Sequence, residues 1–236
     1  MRILLLGYGK MGKTIEAAAL ERNHTIVGKI DPGTGLTFDF NNKADVAIEF
    51  TMPESAVGNI KLCIDHGIPV VSGTTGWLNH KKEVDDYCNS KKGTFFYASN
   101  YSMGVNLFFK LNEQLAKMME QRLEYDVRID ESHHTQKKDS PSGTAITLAE
   151  GILKNLSRKK QWVKVAGKSP EDLAIGSVRQ DPDPGTHTIT YQSSVDDIEI
   201  KHTAHSREGF AKGAVLVAEW VKNQKGVLSM DDFLKF

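Results

Sequence analysis

The feature that most narrows the fold stands at the N-terminus. Arg2 to Leu6 ends in the apolar run of a strand buried on both faces, and it leads directly into Gly7-Tyr8-Gly9-Lys10-Met11-Gly12. Met11, Ile15, Ala18 and Ala19 then recur at the spacing of one helix face. Strand, glycine-rich turn and helix in this order open a dinucleotide-binding βαβ unit. The glycines permit a tight turn, a close approach of backbone to pyrophosphate, and close packing of helix on strand.

The alternation continues. Thr25 to Ile30, Val46 to Phe50, Pro69 to Ser72 and Thr94 to Ala98 read as strands, with helical stretches from Pro53 to about His66 and from about Asn79 to Ser90. Strands alternating with helices predict a Rossmann-like, doubly wound parallel sheet. Ligands of such sheets gather at the carboxyl ends of the strands, so Gly9, Thr51, Gly73-Thr74-Thr75 and Ala98-Ser99-Asn100-Tyr101 are expected on one rim. Asp31 closes the second strand about where an acid would hold an adenosine ribose and repel a 2′-phosphate. That favours NADH over NADPH mildly. Asp31 could equally just open a turn with Pro32, and Lys10 or Lys13 could still meet a phosphate.

From Ser102 the pattern changes. A helix carrying Val105, Phe108, Phe109, Leu115, Met118 and Met119 leads to an alternating strand over Leu123 to Asp130. Beyond a helix ending near Leu156, the strands Ala174 to Arg179, Thr186 to Ser193 and Ile198 to Thr203 follow one another without helices between them. They are expected to be antiparallel neighbours in an open sheet. The expected whole is therefore α/β, with a second α+β domain built on an open mixed sheet. Helices from Ser206 to Gln224 and from Met230 to Leu234 are expected to return to the first domain. Residues 1–101 with 206–236 would form the dinucleotide-binding domain, and 102–205 the substrate-binding and oligomerisation domain. Two crossings between domains imply a hinge that closes over ligand, and an open sheet with exposed edges implies an oligomer.

The stretch richest in chemistry is Glu131-Ser-His133-His134-Thr-Gln-Lys137-Lys-Asp139-Ser-Pro141-Ser142-Gly143-Thr144-Ala145, set between that strand and the helix bearing Leu148, Ala149 and Ile152. Pro141-Ser142-Gly143-Thr144 is a helix-start signal, and the unpaired N–H groups of a helix start seat an anion. His133, His134 and Lys137 beside it make a pocket for a small, multiply negative molecule and offer a proton near neutral pH. Taken singly, each could be an ordinary polar surface residue. No metal is expected: neighbours in a strand point to opposite faces, which separates His133 from His134, and a strand end separates His202 from His205.

Thirty Lys and Arg balance thirty Asp and Glu, so no overall field draws the chain to nucleic acid or an anionic membrane. Cys63 and Cys88 fit no metal-ligand or disulfide framework, and no apolar run is long enough for a signal peptide or a span. The expected setting is the cytoplasm.

With those residues in view, the chain resembles the 4-hydroxy-tetrahydrodipicolinate reductase (dihydrodipicolinate reductase) family of lysine and diaminopimelate synthesis over nearly its whole length. Glu131-x-His133-His134-x-x-Lys137-x-Asp139-x-Pro141-Ser142-Gly143-Thr144-Ala145 carries the likeness. It is supported by Phe50-Thr51-x-Pro53-Glu54, Gly73-Thr74-Thr75-Gly76, Asn100-Tyr101-Ser102-x-Gly104-Val105-Asn106 and Ser206-Arg207-x-x-Phe210-Ala211-x-Gly213-Ala214. The resemblance implies reduction of a cyclic imine dicarboxylate by a nicotinamide hydride from NADH or NADPH, in a homotetramer. It implies His133 as proton donor or acceptor, Lys137 as second donor, and His134 with Gly143 and Thr144 as carboxylate binders. Gly7, Tyr8, Gly9, Lys10, Met11, Gly73, Thr74, Thr75, Ala98, Ser99, Asn100 and Tyr101 carry over as nucleotide-binding turns. The segment after Asp31 is shorter than in many members, and the glycine turn is one residue tighter than the commoner form. Ser99 and Tyr101 replace the common proline and phenylalanine. A related dehydrogenase of another small dicarboxylate and a non-catalytic nucleotide sensor are the alternatives.

Overall fold

The computed structural model describes residues 1–31, 35, 38–40, 43–164, 169–206 and 208–235. The turn residues Pro32, Gly33 and Thr34, and Arg207 of the C-terminal motif, lie outside the described residues. The chain divides into two compact units, Met1–Met103 with Glu208–Phe236 and Gly104–Arg207.

The first unit holds β1 (Arg2–Leu6), α1 (Lys10–Glu21), β2 (Thr25–Ile30), β3 (Val46–Glu49), α2 (Pro53–Asp65), β4 (Val70–Ser72), α3 (Lys81–Ser90) and β5 (Thr94–Tyr97). All pairings in its sheet are parallel. Ile3–Leu6 of β1, Val46–Ile48 of β3 and Val70–Val71 of β4 are buried apolar runs because helices cover both faces. One face packs Ile3, Leu5, Val46, Ile48 and Phe96 against α1 and the C-terminal helix; the other packs Leu4, Leu6, Ala47, Val70 and Phe95 against α2 and α3. Cys63 and Cys88 are buried free thiols in that second layer.

Between these strands and the C-terminal elements runs the second unit: α4 (Met103–Met119, whose first residue still counts with the first unit), β6 (Asp126–His133), α5 (Gly143–Asn155), β7 (Gln161–Lys164), β8 (Asp172–Arg179), β9 (Thr186–Gln192) and β10 (Asp197–Thr203). The first unit then resumes with α6 (Glu208–Val221), β11 (Gly226–Leu228) and α7 (Met230–Leu234). The six-stranded order is β11-β5-β4-β3-β1-β2. In α6, Ala211, Ala214, Val215, Val217, Ala218 and Val221 are wholly buried; each buried valine contributes roughly 1.5–3 kcal/mol. Close packing there needs Gly213, where a Cβ would sit 1.8 Å from the Tyr101 carbonyl oxygen.

The second sheet is mixed, in the order β10-β9-β6-β8-β7. It corrects one expectation. Strands β9 and β10 are antiparallel neighbours, but β8 lies on the far side of β6 and runs parallel to it. Two strands adjacent in sequence are thus separated by an earlier one, because β6 carries the apolar side chains that both must flank. Val127, Ile129, Leu173, Ile175, Ile189 and Tyr191 form its buried face beneath residues of α4 and α5. On the opposite face Arg128 and Asp130 are exposed. The short strands β7 and β11 were not expected, and β6 runs on through His133 rather than stopping at Asp130.

Candidate functional site

In the first unit, β1 hands the chain to Gly7, which adopts φ +89 and whose Cβ position would lie 2.0 Å from the Phe50 carbonyl oxygen; only glycine fits. Gly9 precedes α1 with no side-chain cap, no acidic residue occupies the first helical turn, and a Cβ at Gly9 would meet nothing within 4 Å. Open space in front of an uncapped helix start fits a pyrophosphate. Tyr8 N–H donates to Asp31 Oδ2 at 3.2 Å, which holds the Asp31 carboxylate against this turn. Lys29 is paired with Glu16 at 2.8 Å and donates to the Tyr8 hydroxyl at 2.8 Å; the Tyr8 hydroxyl in turn donates to Glu16.

Along the same rim, Met11, Phe50, Thr51, Pro53, Gly73, Thr74 and Thr75 line one pocket of about 260 Å³. Its floor is organised by Glu49, fully buried, whose carboxylate accepts from Thr51 N–H at 3.0 Å, Ser72 Oγ at 2.5 Å and Thr74 Oγ1 at 2.8 Å. Tyr101 belongs to the core: its hydroxyl donates to the Ser72 carbonyl at 2.6 Å. That contact fastens the turn of Ala98, Ser99 and Asn100 beside the Gly73 turn. Ser99 is exposed, while Asn100 Oδ1 accepts from Ser102 N–H at 2.9 Å ahead of α4.

In the second unit the stretch from Glu131 to Ala145 folds back on itself. Strand β6 alternates, so Glu131 and His133 share its buried side. Ser142 caps α5, its Oγ accepting from Ala145 N–H at 3.1 Å, while its own N–H points at both Glu131 oxygens, 3.1 Å from each. The first helical residue, Gly143, is exposed, and a Cβ there would meet nothing within 4 Å. Thr144 is half-buried beside it. This is an open anion seat at a helix start.

Register brings in partners from far along the chain. Glu131 lies opposite Ser177 on β8 and opposite His187 on β9. Glu131 Oε1 accepts from Ser177 Oγ at 2.8 Å and from Arg179 Nη2 at 3.0 Å. Arg179 also donates to the Asp139 carbonyl at 2.7 Å and the Lys137 carbonyl at 3.3 Å, pinning the loop that carries Lys137 to the strand that carries His133. Thr135 fixes the same loop through Asp181, at 3.2 Å from its N–H. His134 is half-buried; the Asp181 carboxyl is lowered chiefly by the Thr135 hydroxyl and N–H, with a smaller contribution from His134.

The electrostatics follow. Burial works to raise the Glu131 carboxyl, but His187, Ser142, Ser177 and Arg179 outweigh it and hold it well below the usual carboxylate range. Burial, joined by the positive or potentially positive His187, Lys137 and Arg179, pushes the His133 imidazole down to about 4, against the pull of Glu131. His133 is thus neutral at physiological pH in this state. The potential ligand atoms of Glu131, His133 and His187 lie within 4.8 Å of one another. The Glu131 oxygens, however, already accept three donors, one of them a guanidinium, which opposes a cation there.

Sequence reasoning named His133, His134, Lys137, Gly143 and Thr144, and the second unit holds them along one strand–loop–helix turn. It missed Ser177, Arg179 and His187. No local pattern marks them, since only the register across β8, β6 and β9 joins them to Glu131.

Residues 1–101 match the family model described as dihydrodipicolinate reductase, N-terminus, and residues 104–234 the model for its C-terminus. The 4-hydroxy-tetrahydrodipicolinate reductase of Christiangramia forsetii is 50% identical over 235 residues, covering 99% of this chain and 98% of the relative. The protein of the same name from Methanococcoides burtonii is 38% identical, covering 98% and 86%. Among solved structures, a dipicolinate-bound dihydrodipicolinate reductase from Paenisporosarcina sp. TG-14 shares the fold with TM-score 0.82 at 21% identity, covering 99% of each chain. An amine dehydrogenase from Mycobacterium smegmatis follows the fold more loosely, with TM-score 0.62 at 13% identity over 97% and 94%.

Proposed function

The chain belongs to the dihydrodipicolinate reductase family, and from that premise we propose how its residues divide the work. It is an NAD(P)H-dependent oxidoreductase that reduces 4-hydroxy-tetrahydrodipicolinate to tetrahydrodipicolinate in lysine and diaminopimelate synthesis. We assign nucleotide binding to residues 1–101 with 206–236 and substrate binding to 102–205.

The bound nicotinamide cofactor supplies the hydride. The uncapped start of α1 with Gly7, Tyr8, Gly9, Lys10 and Met11 would seat its pyrophosphate, and the pocket of Met11, Gly73, Thr74 and Thr75 would take the nicotinamide half, with the turn of Ala98 to Tyr101 alongside. We infer a mild preference for NADH. Asp31 supports this, since its carboxylate at the turn suits ribose hydroxyls and repels a 2′-phosphate. So does Lys29, whose charge is already met by Glu16.

The observation that carries the substrate assignment is the gathering of His133, Lys137 and the open start of α5 around one buried carboxylate. Gly143 and Thr144 N–H groups and His134 bind a substrate carboxylate, for which a helix start and cationic partners are complementary. His133, neutral before substrate arrives, can accept a proton or, once charged by the approaching dianion, deliver one. Lys137 supplies a second proton and stabilises developing negative charge.

The assembly is a homotetramer built through the second-unit sheet, supported by the exposed face bearing Arg128 and Asp130; a stable monomer in sedimentation would overturn this. A cytoplasmic setting is supported by the two free, buried thiols, and no helix among the described residues is long and apolar enough to cross a membrane. The reaction is tested by generating the unstable substrate in place from pyruvate and aspartate semialdehyde with its synthase. Loss of NADH absorbance, faster than loss of NADPH, is expected. No loss with either cofactor, in protein that still binds nucleotide, would point to a changed substrate or a sensor.

A further inference from the structure

The two ring nitrogens of His133 face different surroundings. Nδ1 is buried without a hydrogen-bond partner among the described residues, 3.5 Å from Glu131 Oε2. Nε2 lies beside Gly185, 3.1 Å from where a Cβ would stand, so that position is kept open by a glycine at φ +149. The two Glu131 oxygens differ as well. Oε1 takes the Ser177 hydroxyl and the Arg179 guanidinium, whereas Oε2 shares the Ser142 N–H, at 3.1 Å, and otherwise faces only imidazoles among the described residues. Oε2 therefore has lone-pair capacity left, and it is the oxygen nearest an imidazole.

His187 is the other ring within reach, its Nε2 3.6 Å from Oε2 and its ring edge-on to His133 at 5.0 Å between centroids. The same Nε2 is only 3.1 Å from Ser142 Oγ, which accepts the Ala145 N–H and retains its own proton to give. That hydroxyl offers His187 Nε2 a nearer partner than Oε2, 3.1 Å against 3.6 Å, while His187 Nδ1 is buried without a partner among the described residues.

We infer that Glu131 is the positioning residue of His133. Its Oε2 selects the imidazole tautomer with the proton on Nδ1, leaves Nε2 as the nitrogen that exchanges the proton of the reduction, and holds the imidazolium when it forms. This rests on the assignment of His133 to proton transfer. When Nε2 takes up a proton, the Nδ1–H···Oε2 contact becomes charge-assisted and shortens to about 2.8 Å, while the carboxylate itself stays ionised. The charged and titratable groups facing His133 are Glu131 from its own strand, His187 from β9, Arg179 from β8 and Lys137 from the following loop. Of these only Glu131 favours a positive ring. Its anchoring by Ser177, Arg179 and the start of α5 keeps that charge from swinging away.

The test combines a spectroscopic and a kinetic reading on the full-length protein. Nitrogen-15 correlation spectra of the histidine rings at neutral pH should show His133 as the Nδ1–H tautomer; an Nε2–H tautomer overturns the proposal, whether or not any variant folds. Glu131→Gln should lower kcat roughly a hundredfold with KM little changed, and move the kcat–pH profile by about one unit or more. Adding His133→Gln to it should cost almost nothing further. A Glu131→Gln enzyme with the wild-type pH profile, or losses that simply add, overturns the proposal and leaves Glu131 a structural residue. Full turnover in His133→Gln alone would instead overturn the assignment on which the proposal rests.

Discussion

Lys137 Nζ lies 2.8 and 2.9 Å from the two carboxylate oxygens of Asp139, two residues on in the same loop. The Lys137 hydrogen bond is the chief reason the Asp139 carboxyl sits below its ordinary value. Asp139 is more than half exposed, so the pair opens at little cost, about 0.2–1 kcal/mol. An arriving dicarboxylate must compete with Asp139 for that ammonium. Asp139→Asn should therefore lower KM about threefold, the equivalent of roughly half a kcal/mol, in steady-state assays. A raised KM would mean that Asp139 positions Lys137 rather than competing for it.

Lys137→Ala removes the second proton donor without disturbing Glu131, because the Arg179 contacts to this loop run to backbone carbonyls. Turnover should drop by about 10²–10⁴, with the circular dichroism spectrum and NADH binding unchanged. Wild-type turnover would remove Lys137 from the chemistry.

Asp31 is the residue on which cofactor preference turns. In Asp31→Asn the acceptor for Tyr8 N–H is kept and the charge is lost. The NADH-to-NADPH ratio of kcat/KM should fall about tenfold, roughly 1.4 kcal/mol. If the ratio stays put, the acid serves only the turn.

Gly213 has no room for a side chain against Tyr101. Gly213→Ala must push α6 off the sheet, and the urea midpoint should report a loss of about 3 kcal/mol. By contrast Gly58, where an added Cβ meets nothing within 4 Å, should accept alanine in α2 with a gain of roughly 0.5–1 kcal/mol.

Acid should destabilise the protein in two stages. His133 titrates near 4 when folded and near 6.5 when unfolded. The unfolded chain therefore binds a proton in that window that the folded one refuses, and stability falls as pH drops from about 6.5 to 4. Glu131, depressed when folded, contributes fully above about 4.3 and loses that contribution only as pH falls further, toward its own lower value. His133→Gln should flatten the first stage, worth on the order of 3 kcal/mol, and keep the second. Urea midpoints measured between pH 7 and 3 would show it; an unchanged slope above pH 4 would exclude His133 as its source.

The first sheet could be read from the chain because each parallel strand is a short apolar run closed by a glycine or a polar turn, as Ile3–Leu6 before Gly7 shows. Strand β11 could not. Three half-buried residues form a strand only because Val227 pairs with Phe95. The order of the second sheet escaped for a related reason: succession in sequence says that β8 and β9 follow each other, not that β6 stands between them. The site divides the same way. His133, Lys137 and the helix start are local and legible, whereas Glu131 gains its meaning from Arg179 and His187, brought 48 and 56 residues back along the chain by strand register.

The path of the chain through its first sheet also bears on how the protein is made. Strand β5 waits for β11, and the face carrying Ile3, Val46 and Phe96 waits for α6, yet the whole second unit is translated in between. On the ribosome, the nucleotide-binding half must travel as an unfinished sheet, one apolar face covered by α1 alone, until Val221 and Leu228 have emerged. A message broken anywhere between Gly104 and Glu208 would release that half with its sticky edge open. Such fragments are natural clients for chaperones and proteases, and they should accumulate as aggregates where those fail.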